Sequence, residues 1–112
     1  MKRRLACLIL SVFLLAACGR PVPTEKRAYV GEWQTKTMYL LITQDGSVRY
    51  KRLKGGATTS IEAPLKEFIG DDFEVGIGPL TTKFKVAKPP YRDGDRWRMI
   101  VDDVELTKTA NE

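Results

Sequence analysis

The chain has 112 residues, with 19 Lys and Arg against 14 Asp and Glu, a formal charge of +5, two cysteines and no histidine. That length supports one small domain. The missing histidine excludes a Ser-His-Asp triad and a histidine-based metal site, and the charge is not the basic imbalance of a nucleic-acid binder.

The first segment is the most specific. Lys2, Arg3 and Arg4 precede an apolar run from Leu5 to Leu14, which leads into Leu15-Ala16-Ala17-Cys18. A charged start, a short apolar stretch and a small-residue site make a secretory signal peptide. The run is too short to span a bilayer, which needs ~20 apolar residues. With cysteine directly after the small residues, the tetrapeptide resembles a bacterial lipobox. The resemblance implies that residues 1–17 are a helical signal peptide, cut between Ala17 and Cys18. It further implies a diacylglyceryl group on the Cys18 thiol and a fatty acid such as palmitate on the new amino group. One acyl chain holds a protein to a membrane only marginally, whereas two or more anchor it stably. Cys18 is then a modification site and not a catalyst, and Cys7 leaves with the signal peptide as a small apolar residue. Lipoprotein sorting often uses Asp after the cysteine for inner-membrane retention. Gly19 at that place points to the outer membrane, facing the periplasm.

Removing residues 1–17 leaves 95 residues, with 16 Lys and Arg against 14 Asp and Glu, a formal charge of +2. No second cysteine remains for a disulfide, so the domain must rely on hydrophobic burial and a cooperative sheet.

Residues 18–27 read as the lipidated start and an extended tether, with Pro21 and Pro23 at alternate positions. A single domain over residues 28–108 follows, then a tail at 109–112. The period within the domain is two, not 3.6. A first strand is expected around Val30–Thr37. Met38–Thr43 is strongly apolar, Gln44-Asp45-Gly46-Ser47 is a hairpin turn, and Val48–Lys51 alternates apolar with basic. Lys54-Gly55-Gly56 turns into a third strand, Thr58–Glu62, which Pro64 ends. Leu65–Ile69 fits either one helical turn or an irregular corner. Asp72–Ile77 puts Phe73, Val75 and Ile77 on one face, before Gly78-Pro79. Lys83–Val86 alternates again, Lys88–Asp95 reads as the longest loop, and Arg96–Val101 places Trp97, Met99 and Val101 opposite both arginines. Asp102-Asp103 turns into Val104–Thr107. The result is an all-β domain, a small antiparallel barrel or sandwich of about seven to eight short strands.

Gly31-Glu32-Trp33 at the start of the first strand resembles the lipocalin and calycin signature. That resemblance implies a Trp33 that closes one barrel end under a late-strand basic residue, Arg96 or Arg98, by cation–π stacking. The other reading is an ordinary core Trp after a flexible Gly. A barrel of eight strands is either filled or holds one small ligand. Basic residues recur at Arg49, Lys51, Arg52 and Lys54, at Lys83, Lys85 and Lys88, and at Arg92, Arg96 and Arg98. They are either a positive patch for an anionic partner or the solvated face of an amphipathic sheet, balanced across strands by Asp72, Glu74, Asp103 and Glu105. Asp71-Asp72, Asp93-x-Asp95 and Asp102-Asp103 lie at predicted turns, where Asp bonds to backbone, and lack calcium-loop spacing. Ser47 and Ser60 have no nucleophile elbow around them.

The expectation is a non-catalytic, membrane-anchored envelope lipoprotein whose domain binds or docks in the periplasm. It would need no cofactor or metal and no nucleic acid. Its binding residues would come from Trp33, Arg49, Lys51, Lys83, Lys85, Arg96 and Arg98, and its partner would be an envelope protein or peptidoglycan. The alternatives are a lipocalin-like carrier of a small apolar ligand and an inhibitor of a cell-wall hydrolase. Small lysozyme inhibitors of that kind are lipid-anchored β-barrels, but the disulfides and the Ser-Gly and Tyr/Lys motifs usual in them are absent here.

Overall fold

The computed structural model describes residues 19–110, with side chains through Thr109. The signal peptide and the Ala17-Cys18 cleavage and lipidation site lie outside the described residues.

Nine strands follow a short 3-10 helix at Thr24–Tyr29: β1 Gly31–Thr35, β2 Met38–Ile42, β3 Ser47–Lys54, β4 Ala57–Ile69, β5 Asp72–Ile77, β6 Leu80–Phe84, β7 Val86–Asp93, β8 Arg96–Val101 and β9 Val104–Ala110. All neighbouring strands pair antiparallel, in the order β6-β5-β4-β3-β2-β1-β9-β8-β7. The domain is therefore all-β, as the alternation predicts. It is one sheet curled into a half-barrel, not two stacked sheets. Its concave side holds Trp33, Leu40, Ile42, Val48, Phe73, Val75, Phe84, Met99, Val101 and Leu106, all essentially inaccessible. Each such side chain contributes roughly 1.5–3 kcal/mol by burial.

Two-residue turns set most of the register. Val101 pairs with Val104 across Asp102-Asp103, which take φ of 48° and 66°. Aspartate is among the few residues that visit the left-handed region readily. Here the Asp102 carboxylate also accepts a hydrogen bond from the Lys85 N–H at 3.0 Å, and the Asp102 N–H donates to the Lys85 carbonyl at 2.8 Å.

Those bonds explain why Lys83–Val86 is not one strand. Phe84 ends β6 at one edge of the sheet, and Val86 begins β7 at the other. Lys85 makes the crossing with its backbone held by Asp102, and the Val86 N–H donates to the Asp72 carboxylate at 2.7 Å. The split contributes to the strand count of nine.

The expected long loop at Lys88–Asp95 is also strand. Pro89 and Pro90 lie within β7, an edge strand whose pairing with β8 shifts between Val86 and Lys88 and again between Lys88 and Tyr91. An edge strand has one side with no ladder to feed, so proline is tolerated there, and bulges absorb the irregularity. Similarly, Pro64 does not end the third strand. It holds the last register position opposite Ser47 of β3, and β4 runs on to Ile69 by changing neighbour from β3 to β5. Leu65–Ile69 is thus a bulged strand, with the shift between Leu65 and Glu67.

Residues 19–27 do not run free as an extended tether. The Val22 N–H donates to Gln44 O at 3.0 Å, the Gln44 amide returns a bond to Val22 O at 2.9 Å, and Val22 is buried. Tyr29 packs edge-on to Phe68 and Phe73, with ring centres 5.1 and 6.3 Å away, and its hydroxyl donates to Asp71 O at 2.8 Å. An aromatic ring buried against its neighbours, with a partner for its hydroxyl, is reason enough to dock the segment. Gly46 makes the approach possible: at φ 91° it lies so close to the Arg20 backbone that a Cβ there would collide with the Arg20 carbonyl.

Candidate binding surfaces

Trp33 is fully buried, so no partner reaches it. Its indole N–H donates to Tyr29 O at 2.9 Å. The cation over its ring is neither Arg96 nor Arg98 but Lys108, whose Nζ stands 4.9 Å from the Trp33 ring and 6.0 Å from that of Trp97, and donates to Ala28 O at 3.0 Å. The reason is parity. Met99 and Val101 face the core, so Trp97 shares their side and the two arginines take the other. On β9, Leu106 faces inward and Lys108 follows it two residues on. Burial pushes the Lys108 ammonium pKa down.

The basic residues do not form one patch. Arg49 and Lys51 alternate with buried Val48 and Tyr50 on the outer face of β3. Lys83 is on β6, three strands away, and Lys85 follows it in the crossing to β7. Arg96 and Arg98 are on β8, four strands away in the other direction. At about 4.8 Å per strand these groups lie roughly 14 and 19 Å from β3 around the sheet. Several are paired: Arg49 with Glu62 at 3.5 Å, Lys83 with Asp72 at 3.9 Å, Arg98 with Asp93 at 2.8 Å and with Glu105 at 3.3 Å. Arg98 also donates to Thr107 Oγ1 at 3.0 Å. Tyr91 donates its hydroxyl to Glu105 at 2.9 Å, and that bond raises its pKa. Arg98, Asp93, Glu105, Thr107 and Tyr91 thus form one connected network on this face, with Arg96 exposed beside it.

The outer face of β2–β4 is different. Register rows bring Tyr39 beside Lys51 and Ser60, and Leu41 beside Arg49 and Glu62. A shallow open groove runs between Tyr39, Arg49, Lys51, Ser60 and Glu62. Next to it, Glu32 accepts from Tyr39 Oη at 2.9 Å, Thr109 Oγ1 at 3.0 Å and Gln34 Nε2 at 3.1 Å. These bonds, Tyr39 foremost, hold its carboxyl below the usual range. The groove thus presents an aromatic face, the Lys51 cation, a hydroxyl and the exposed Arg49–Glu62 ion pair, a surface suited to recognition. None of the hollows described for the domain is lined by Leu40, Ile42, Trp97 or Met99.

One surface escaped the sequence reading. Ile77 and Leu80 pair directly across the Gly78-Pro79 turn and are 73% and 81% exposed. Alternation assigns Ile77 to the core with Phe73 and Val75, but the β5–β6 hairpin carries it past the end of the core. The signal was present in the two apolar residues flanking a Gly-Pro turn, since a turn is where a hairpin leaves the body of a sheet. No family model matches the chain, and neither the curated proteins nor the solved structures provide a match.

Proposed function

We propose that the chain is an envelope lipoprotein, anchored through acylated Cys18 to the periplasmic face of the outer membrane, whose half-barrel is a non-catalytic interaction module. The observation that carries the anchor is Leu15-Ala16-Ala17-Cys18 behind a basic start and a short apolar run. What supports docking over carriage is the position of the accessible chemistry. The concave side is taken up by mutually packed side chains, while charges, a hydroxyl and Tyr39 line an open groove outside. A groove of that composition suits an extended polar partner, such as a strand or loop of another envelope protein or a peptidoglycan segment.

Intact mass and membrane fractionation of the full-length protein test the anchor. The expected product begins at Cys18, carries acyl chains and sediments with membranes, whereas Cys18→Ala stays unprocessed or soluble. Normal processing and membrane retention of Cys18→Ala overturn the anchor. Photocrosslinking from position 60, beside Lys51 in the groove, in the anchored protein tests the groove. A specific adduct that disappears in an Arg49→Glu, Lys51→Glu variant is expected, and an unchanged adduct pattern removes the groove from the reading.

A further inference from the structure

We infer that the β5–β6 hairpin tip, Ile77-Gly78-Pro79-Leu80, is a second membrane contact, inserting Ile77 and Leu80 into the bilayer interface that holds the anchor. The inference rests on the proposed lipidation of Cys18. It starts from an anomaly: these are the two most exposed large apolar side chains among the described residues, and they sit together. Isolated surface apolar residues need no explanation, but a paired apolar tip does.

The position of the chain at Gly19 says what covers it. The N-terminal segment runs alongside β4 in the same direction, with the Arg20 N–H bonded to Leu65 O at 3.3 Å and Lys26 Nζ bonded to Gly70 O at 2.8 Å. β5 lies on β4 in the opposite sense, pairing Val75 with Leu65 and Asp72 with Ile69. Backing up from Arg20 to Gly19 and advancing from Val75 to Ile77 therefore lead the same way from Leu65. Gly19 rests against Gly46 and Pro64. Cys18 is the next residue, so no free tether separates an acylated Cys18 from this end of the domain. Lys66, the residue after Leu65, reaches the tip itself and donates its Nζ to Gly78 O at 3.3 Å.

A lipid surface at Cys18 thus meets the apolar tip within a few residues' reach, with exposed Arg20 and partly exposed Lys66 beside it to face anionic headgroups. Apolar residues at a turn, flanked by cations, suit the headgroup–acyl boundary. Two contacts fix an orientation that one anchor leaves free.

The experiment uses the full-length acylated protein in vesicles of phosphatidylethanolamine and phosphatidylglycerol. Leu80→Cys supplies a single free thiol, because Cys7 departs with the signal peptide and Cys18 carries lipid, and it is labelled with an environment-sensitive fluorophore. Asp95→Cys, in the exposed β7–β8 turn, is the comparison. The expected result is a blue-shifted label at 80 that brominated lipids quench several-fold more than the label at 95. Intact mass separates the two ideas. An unacylated product overturns the anchor and the tip contact together. An acylated product with a label at 80 as wet as that at 95 overturns the tip contact alone. A label that turns apolar without lipid quenching, in a chain that crosslinks to a second copy through position 80, assigns the tip to self-association and also overturns it.

Discussion

Lys108 holds its ammonium 4.9 Å from the centre of the Trp33 ring, so the end of the last strand is pinned over the start of the first. Its proton completes the contact by bonding Ala28 O at 3.0 Å. Desolvation lowers its pKa in the folded state, so the folded chain releases this proton at lower pH than the unfolded chain. Stability from this group therefore rises with pH between the lowered value and the ordinary lysine value near 10.5. Lys108→Met is expected to lose that alkaline rise and, through the missing bond to Ala28, about 1 kcal/mol at neutral pH. Urea unfolding across pH checks both.

Tyr29 titrates in the opposite sense. Burial, then Asp71 and Asp72, push its phenol up to about 12. The folded state keeps the proton longer than the unfolded state, so this contribution is fully present below pH 10 and is lost as pH climbs toward 12. Tyr29→Phe removes the bond to Asp71 O, at a cost of about 1 kcal/mol. The variant does not suffer the alkaline loss, so the two stability curves should converge over that window. A constant gap would contradict the assignment.

Gly46 is a contact position for the N-terminal segment. Gly46→Ala adds a methyl against the Arg20 carbonyl at a backbone angle alanine rarely adopts. The expected cost exceeds about 1 kcal/mol, and hydrogen exchange should find the Val22 N–H, which bonds Gln44 O, no longer protected. Protection unchanged at Val22 would mean the segment docks without this close approach.

Phe84, at the end of the edge strand β6, is buried in the core. Its ring stacks 5.0 Å from Phe73 and meets Tyr50 edge-on at 4.9 Å, one residue before the chain crosses to β7. Phe84→Ala is expected to cost about 3–5 kcal/mol and Phe84→Leu clearly less. Shifts of the urea midpoint at constant slope are the readout.

The fold class was legible because side-chain alternation is a local property. Met38, Leu40 and Ile42, and Phe73 and Val75, announce a buried face whatever lies opposite. Turn chemistry at Asp45-Gly46, Gly55-Gly56 and Asp102-Asp103 was legible for the same reason. The break at Lys85 was not. It depends on Asp72 and Asp102, which lie 13 and 17 residues away and supply the bonds that let the chain leave one edge and join the other. The prolines of β7 misled because proline's meaning depends on whether its strand is an edge, and only topology says so.

By itself, the sequence determined a period-two chain with a charged, apolar, small-residue and cysteine start, and an inventory without histidine. Tertiary structure decided which charges meet. It placed Lys108 over Trp33 and spread the basic residues across distant strands. It also carried Ile77 and Leu80 out of the core, to a hairpin tip that Lys66 reaches through Gly78 O. Alternation fixes the face of each side chain within its own strand. Strand order, curl and bulges fix which faces become neighbours, and those arise from contacts between residues remote in sequence.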